Sequence, residues 1–221
     1  NRSSAASDVY KRQVVKDSEY ADVLAFDWTT AFPEIMDEGG FDIVIGNPPY
    51  VRHELIKEIK PALKSDFETY VGTADLFVYF YELGHKILKE NGYLGYISSN
   101  KWMRAKYGKP LRIFLKDTVT LTTLIDLGED DLFEGATTYT NIITFKKQNP
   151  SRKNTFTMAE PPFGDEIATL AQSKLDSDAY QLEEPIFYQI KEKMEEVGTP
   201  LKDWDININY GIIIIIIIII I

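Results

Sequence analysis

The sequence predicts an α/β fold with a mostly parallel sheet and one antiparallel strand near its edge. Short apolar runs rich in β-branched residues alternate with stretches in which apolar residues recur every three or four positions. The order strand, helix, strand, helix, strand favours crossover connections between parallel strands. The last two strands are separated by only about a dozen residues without a helical pattern, which favours an antiparallel pair.

Four segments are predicted as strands. The first, FDIVIG at 41–46, is a continuous apolar run between Gly40 and Asn47, and we expect it to be buried. The other three are YLGYISS at 93–99, TLIDLG at 123–128 and TNIITFKK at 140–147.

Three segments are predicted as helices. In residues 74–90 the apolar side chains follow helical spacing, with Thr73 as a candidate N-cap and Asn91-Gly92 as a stop signal. A basic helical stretch covers about 103–117, and a further helix covers about 183–197. The acidic, proline-punctuated residues 151–211 read as a linker and the start of another domain.

Composition narrows the function classes. The 221 residues contain 24 Lys and Arg against 34 Asp and Glu, a net charge of −10, with no Cys and two His. The absence of Cys excludes disulfides and thiolate chemistry, and two His (His53 and His85) make a His-rich metal site improbable, so no metal is expected. An acidic chain does not bind nucleic acid with its whole surface, although a local basic patch is compatible with it.

Both ends of the sequence look foreign to the fold. Residues 1–13, NRSSAASDVYKRQ, read as a non-native leader, and the ten Ile at 212–221 read as an artefact. The Ile run is shorter than the roughly 20 apolar residues of a membrane span, and no apolar export segment lies near residue 1. We therefore expect no membrane association and a cytoplasmic location.

The most informative motif is Asn47-Pro48-Pro49-Tyr50, directly after the first predicted strand. Ligand sites in open α/β sheets lie at the carboxyl ends of strands. Two consecutive prolines make a rigid turn, which presents the Asn47 side chain and the Pro48 carbonyl in fixed directions. Both groups are hydrogen-bond acceptors that suit an exocyclic amine, and Tyr50 offers a ring on which a planar base can stack.

With this motif, residues 20–148 resemble the N6-adenine DNA methyltransferases, and most closely the gamma class of type II and IIG restriction–modification enzymes. The segments that carry the resemblance are ADVLAFDWTTAFPEIMDEGGFDIVIGNPPYV, TADLFVYFYELGHKIL, GYLGYISSNKWM and LFEGATTYTNIITFKK. The resemblance implies the C-terminal half of a Rossmann-like class I methyltransferase sheet, with residues 14–150 as a partial catalytic domain and 151–211 as a linker and the start of a target-recognition region.

The resemblance also implies site residues. Asp27 would bind the adenine end of S-adenosyl-L-methionine and Trp28 would pack on its ring; the alternatives are a solvated turn acid and a core residue. Phe133 would stack on the flipped base opposite Tyr50, with Tyr139 as the rival aromatic residue. Asn47 and the Pro48 carbonyl would accept the amine hydrogens of an adenine rotated out of double-stranded DNA. Direct methyl transfer would follow, without a metal.

Two parts of the family's pattern have no counterpart here. The chain contains no Gly-x-Gly loop, and no acid is visible for the ribose of the cofactor. We therefore expect the isolated chain to bind the cofactor poorly, and a nuclease and a target-recognition domain to be fused or separate. The alternatives are a methyltransferase acting on an RNA base or a protein glutamine, and a non-catalytic DNA-binding fragment of the same fold.

A basic run leaves two interpretations open. Its members, between two predicted strands, have no acidic residue among them: Lys101, Arg104, Lys106, Lys109, Arg112 and Lys116. An ordinary solvated helix face is the more common origin of such a run, and contact with backbone phosphates is the functional one.

Overall fold

The computed structural model describes residues 26–128, 139–159, 166–180, 182, 185–199 and 203. The leader at 1–13, the predicted stacking residue Phe133 and the Ile run at 212–221 lie outside these ranges. The chain divides into two compact units, residues 1–185 and 186–221. Among the described residues, no helix has the length and apolar character that crossing a bilayer requires.

The first unit is built on a sheet of six strands in the order β1-β2-β4-β3-β5-β6. Their bounds are Phe41–Gly46 (β1), Leu88–Ser99 (β2), Thr120–Gly128 (β3), Thr140–Lys146 (β4), Thr155–Ala159 (β5) and Glu166–Ala171 (β6). The pairs β1–β2 and β3–β5 are parallel, whereas β4 is antiparallel to both β2 and β3, and β6 is antiparallel to β5.

Four of the six strands therefore run in one direction, which confirms the mostly parallel α/β sheet. The antiparallel β4 is also confirmed, but the expectation that it lies near the edge is wrong. Because β4 pairs with both β2 and β3 along its whole length, it lies inside the sheet. The second antiparallel strand, β6, and its partner β5 lie in the segment that the sequence assigned to a linker. The sheet thus continues beyond residue 150.

Five α-helices accompany these strands in the described part of the first unit. They are Trp28–Ala31 (α1), Pro33–Asp37 (α2), Lys60–Asp66 (α3), Phe77–Ile87 (α4) and Lys109–Thr118 (α5). Short 3-10 helical segments cover His53–Ile59, Asn100–Met103, Lys106–Gly108 and Gln172–Lys174. The sixth helix, Pro185–Val197 (α6), confirms the helix predicted at 183–197.

Helix α4 confirms the predicted helix but begins later, at Phe77 rather than after Thr73, and ends at Ile87 rather than at residue 90. The predicted stop signal Asn91-Gly92 lies within β2, so its role as a helix end is wrong. Asp75, which precedes the helix, accepts a hydrogen bond from the backbone N–H of His53 at 2.9 Å. The predicted basic helix is likewise shorter. Two 3-10 segments precede α5, and Gly108 and Pro110 mark the point where regular helix begins.

Helix α4 packs against β2 at very short range. A Cβ atom at Gly84 would lie 2.4 Å from Leu94 Cδ1 and 2.7 Å from the Tyr96 hydroxyl, so a larger residue would require both side chains to shift. The core between helix and sheet is fully buried and rich in aromatic side chains, including Phe77, Tyr79, Tyr81, Trp102 and Phe145. This packing fixes the helix that follows the Asn-Pro-Pro-Tyr loop.

Strand β1 confirms the predicted strand at 41–46, but the expectation that it is buried is wrong. Ile43 is 60% exposed and Ile45 is 82% exposed. The strand has a single neighbour in the described sheet, β2, and so lies at its edge. An apolar run indicates that a strand is suited to burial. Whether the strand is buried depends on another element that packs over it.

The stretch after β6 is joined closely to α5. The side-chain amide of Gln172 donates to the carbonyls of Leu115, Lys116 and Val119, and its oxygen accepts from the N–H of Leu121. Gln172 is buried. A single side chain therefore satisfies carbonyls at the carboxyl end of α5 that the helix leaves without partners.

Candidate active site

The Asn-Pro-Pro-Tyr loop leaves the sheet at the carboxyl end of β1. Gly46, the last residue of that strand, pairs with Tyr96 in the parallel neighbour β2. The loop therefore begins next to the carboxyl end of β2, which continues to Ser99. The carboxyl end of a parallel strand pair is where α/β proteins place their ligands.

Hydrogen bonds hold the loop in one conformation. Pro48 and Pro49 are buried, and the N–H of Val51 donates to the Pro49 carbonyl at 3.0 Å. The Val51 carbonyl in turn accepts from the N–H of Leu76 at 2.9 Å, just before α4. The loop is thus fixed by β1 at one end and by α4 at the other.

Two acceptors on this loop are available to a ligand. Asn47 is exposed, and no described residue hydrogen-bonds to its side chain. The carbonyl of Pro48 likewise has no donor among the described residues. Because the double proline restricts the backbone between them, these oxygens are held ready for a group with two N–H donors.

Tyr50 provides an aromatic surface beside the two acceptors. Its ring lies 6.1 Å from that of Phe77 between centroids and remains 41% exposed. Burial of the remainder raises the pKa of its hydroxyl to about 12. The side chain is therefore neutral at physiological pH and suits stacking against a planar group.

Trp28 and the Asn47-Pro48-Pro49 turn line one pocket with a volume of about 180 Å³. Its remaining wall is mainly apolar and comes from β1, α4 and β2: Val44, Ile45, Gly46, Phe80, Leu83, Ile87 and Tyr96. The indole also packs in an aromatic cluster, with centroid distances of 4.8 Å to Phe26, 5.9 Å to Phe32 and 5.7 Å to Phe41. Trp28 is thus both a packing residue and a pocket residue.

The pocket fits the adenine end of S-adenosylmethionine in chemistry. Its apolar wall suits a ring, and the buried Trp28 Nε1–H has no acceptor among the described residues. The volume is below the roughly 300–1,000 Å³ of pockets that enclose a whole small ligand. That these residues hold one part of the cofactor stays a prediction.

Asp27, the other predicted cofactor residue, does not line this pocket. Its carboxylate caps α1, accepting from the N–H of Thr29 at 3.0 Å and from the Thr30 hydroxyl at 2.8 Å. The cap fixes the start of the helix that carries Trp28. A direct role of Asp27 in cofactor binding stays a prediction.

Tyr139, the alternative to Phe133 as the second base-stacking residue, lies at the same end of the strands as the Asn-Pro-Pro-Tyr loop. Its ring is partly exposed, and its carbonyl accepts from the N–H of Asn100, which follows β2, at 3.0 Å. The stacking role of Phe133 falls outside the described residues.

A buried polar network that the sequence did not predict lies at this end of the strands. The Tyr81 and Ser98 hydroxyls lie 2.6 Å apart, and Asn141 Oδ1 accepts from Ser98 Oγ at 3.2 Å and from Trp102 Nε1 at 3.1 Å. The Asn141 Nδ2 atom has no partner among the described residues. Ser98 and Asn141 are directly paired across β2 and β4. Polar residues at buried positions of two apolar strands were the signal that could have revealed this network.

Within the described ranges, no three His, Asp or Glu side chains are grouped to hold a metal ion. His53 sits in the turn after the loop, 3.5 Å from Asp75, and His85 lies on α4 with its ring 5.2 Å from that of Phe114. Burial is the main cause that lowers the pKa of His85. Neither histidine lines the pocket beside Asn47.

A rigid acceptor loop thus follows a sheet strand and lies beside an aromatic pocket, which is the arrangement that the resemblance predicts. The chain belongs to the Eco57I restriction-modification methylase family, whose family model matches residues 3–133, more than half of the sequence.

Individual relatives agree with this family. The type II methyltransferase M.XhoI of Xanthomonas vasicola is 38% identical over 51% of the chain and 21% of its own length. The type II restriction enzyme and methyltransferase RM.Eco57I of Escherichia coli is 31% identical over 72% of the chain and 17% of its own length. The chain therefore spans about a fifth of the length of these relatives.

Among solved structures, the type IIL restriction–modification enzyme MmeI in complex with DNA is similar to this chain. The two share 17% identity with a TM-score of 0.49, over 68% of this chain and 20% of MmeI.

Proposed function

We propose that this chain supplies the catalytic loop of an S-adenosylmethionine-dependent DNA methyltransferase that methylates N6 of adenine in a restriction–modification or phage-defence system. The observation that carries the proposal is the Asn47-Pro48 acceptor pair, held on a fixed loop beside the Trp28 pocket. Support for adenine comes from a relative named adenine-specific methyltransferase BrxX, of Escherichia coli O9:H4 strain HS, which is 32% identical over 40% of the chain.

The acceptor pair determines how the reaction is catalysed. The exocyclic amine of adenine lies within the base stack, so the base is rotated out of the duplex before it reaches the loop. Asn47 Oδ1 and the Pro48 carbonyl accept the two N–H groups, which directs the nitrogen lone pair towards the methyl donor. S-adenosylmethionine, when bound, would supply the methyl group from its sulfonium and leave as the neutral thioether, and the methylated amine would release one proton to solvent. Position and electrostatics do most of the catalytic work.

Aromatic side chains hold the two ligands in place. Tyr50 stacks on one face of the flipped adenine, and Phe133 is the proposed partner on the other face. Trp28 packs on the adenine ring of the cofactor, and Pro49 keeps the loop rigid. Asp27 positions Trp28 by capping α1, whether or not it also contacts the cofactor.

The decisive experiment replaces Asn47. Loss of one preorganised polar contact in a catalytic site typically lowers the rate by about 10²–10³-fold. Measured in the full-length protein, Asn47→Ala should lose methyl transfer from radiolabelled S-adenosylmethionine to duplex DNA by at least about 100-fold, with the affinity for DNA and the unfolding temperature unchanged. Asn149→Ala is the matched control, because Asn149 is exposed beyond the opposite end of β4.

The same assay distinguishes the alternatives. If methyl transfer occurs on RNA or on a protein glutamine and not on DNA, the substrate class is different although the loop works in the same way. If Asn47→Ala leaves all methyl transfer unchanged, the loop is not catalytic and a DNA-binding or scaffold role takes its place. Methylation mapped to N6 of adenine by mass spectrometry would establish the base and the atom.

The other properties of the whole protein are part of the proposal. A fused or separate nuclease, a target-recognition region that begins within 151–211 and a cytoplasmic location would fit a restriction–modification enzyme. Because the family's Gly-x-Gly loop is absent from this sequence, we expect the 221-residue chain to bind S-adenosylmethionine weakly. Tight binding in calorimetry would contradict this expectation.

A further inference from the structure

The basic run between β2 and β3 divides into two groups with different surroundings. Three of its cations serve the fold. The Arg112 guanidinium is fully buried and donates to the carbonyls of Trp102, Ala105, Ser177 and Asp178. Lys109 pairs with the Asp178 carboxylate at 2.5 Å, and Lys116 donates to the Leu175 carbonyl. This half of the run holds the segment after β6 against α5.

The other three cations face solvent. The ammonium groups of Lys101 and Lys106 are exposed and form no hydrogen bond or ion pair with any described residue. Arg104 is 58% exposed, and its Nη2 atom lies 2.9 Å from Asp126 Oδ2. Among the described residues, Asp126 is thus the single carboxylate that pairs with this group.

The position of these three residues follows from their neighbours. They lie in the turns directly after β2, at the sheet edge where the catalytic loop also leaves β1. Trp102 and Met103 between them are fully buried, so the backbone is anchored while the three cations remain outside. Lys101, Arg104 and Lys106 together form one exposed cationic surface, which we name the phosphate-binding surface.

Arg104 is held in a defined orientation. Asp126 Oδ1 accepts from the Asn100 side-chain amide at 2.6 Å and from the N–H of Gly128 at 3.1 Å, so the carboxylate that positions Arg104 is itself fixed. A guanidinium carries five N–H donors, and Asp126 takes one of those of Arg104. The remaining donors can bind a phosphate in the bidentate geometry that arginine favours.

We propose that this phosphate-binding surface contacts the backbone of duplex DNA beside the flipped base. The inference rests on the proposed function, because it names how the same catalytic edge holds its substrate. The chain as a whole carries a charge of −10, so an exposed cation group at one edge concentrates attraction for a polyanion there. Phosphate contacts fix the position of a duplex without reading its sequence, which is what a base-flipping site requires of its surroundings.

The test compares two double variants of the protein that each remove two positive charges. Lys101→Gln/Lys106→Gln alters the phosphate-binding surface. Arg152→Gln/Lys153→Gln is the matched control, because these two residues are exposed in the turn between β4 and β5, at the opposite edge of the sheet. Binding of a fluorescent DNA duplex is measured by anisotropy at salt concentrations from about 50 to 300 mM.

Each phosphate contact contributes about 0.9 to the slope of log affinity against log salt. We expect Lys101→Gln/Lys106→Gln to reduce that slope by about 1.8 and to weaken low-salt binding about tenfold, equally for duplexes of different sequence. The control should retain the slope of the unaltered protein. Lys101→Arg/Lys106→Arg keeps the charge and should also retain it, which separates loss of charge from any disturbance of folding.

Three results would overturn the inference: an unchanged slope in Lys101→Gln/Lys106→Gln, an equal loss in the control, or a loss confined to RNA. The outcome is independent of methyl transfer. If the unaltered full-length protein fails to methylate DNA but the slope changes as expected, the proposed function fails and the phosphate-binding surface stands. If methyl transfer depends on Asn47 while the slope does not change, the reverse holds.

Discussion

Replacing Arg112 with Met should destabilise the fold more than any other change in the basic run. The buried guanidinium, 1% exposed, donates to four main-chain carbonyls that come from two distant parts of the chain. Burial lowers the pKa of this group, but arginine remains charged in proteins. Met preserves much of the apolar stem, so the change isolates the loss of the polar head.

The size of the effect follows from the carbonyls left behind. An unsatisfied buried acceptor costs about 1–3 kcal/mol, and release of the desolvated charge offsets part of the total. We expect a net loss of about 3–4 kcal/mol, a large share of the roughly 5–15 kcal/mol that stabilises a typical domain. With a urea dependence of about 2 kcal/mol per molar, the midpoint should fall by about 1.5–2 M.

Urea unfolding followed by tryptophan fluorescence measures this shift in midpoint. Trp102 is fully buried in the native state, so its emission changes when unfolding exposes the indole to water. Lys106→Met is the control, since this exposed position should change stability by less than about 0.5 kcal/mol. An Arg112→Met midpoint equal to that of the control would refute the reasoning, because the carbonyls would then be satisfied without the guanidinium.

Two further predictions concern stability. Gly108→Ala should lower the free energy of unfolding by about 2–4 kcal/mol in the same urea assay. The added Cβ would lie 1.9 Å from the Trp102 carbonyl oxygen, which belongs to the main chain and cannot rotate away. An unchanged midpoint would contradict this packing. For Glu82, burial favours the neutral acid, but hydrogen bonds from Lys86, Thr69 and Glu68 outweigh it and lower the pKa. Its stabilising effect is therefore present above the ordinary carboxyl pKa of about 4.3 and is lost as the pH falls through the lower folded value. The stability gap between the native protein and Glu82→Gln should be constant above about pH 5.5 and shrink below about pH 4; a gap independent of pH would show that the charge has no role.

Local patterns were enough to predict most of the sheet but not its surroundings. The four predicted strands and helix α4 exist because apolar periodicity reports directly on which backbone geometry can place those side chains together. The exposure of Ile45 was not predictable, since it depends on which element covers β1. Strands β5 and β6 were missed because they are short and lie in an acidic, proline-containing stretch that resembles a linker.

At the candidate site, the sequence predicted those functional groups that lie next to one another in the chain. The Asn47-Pro48 acceptor pair follows a strand directly, and the structure brings Trp28 to the same pocket. The network around Asn141 was not readable, because the pairing of Asn141 with Ser98 depends on a strand register set by residues more than 40 positions apart. For the same reason the sequence could not show that Arg112 is buried, since two of its acceptors lie about 65 residues further along the chain.

The bare flank of β1 has a consequence for handling this polypeptide. An edge strand whose outer backbone groups have no partner among the described residues, and whose large aliphatic side chains are exposed, can recruit a strand from another molecule. Natural proteins normally discourage such pairing with charges, prolines or bulges, and in β1 these features are confined to its start, where Asp42 and a register shift between Phe41 and Ile43 precede the exposed isoleucines. Self-association through the exposed side of β1 would therefore compete with correct folding during purification. Ile45→Lys would oppose it by placing a charge on this strand.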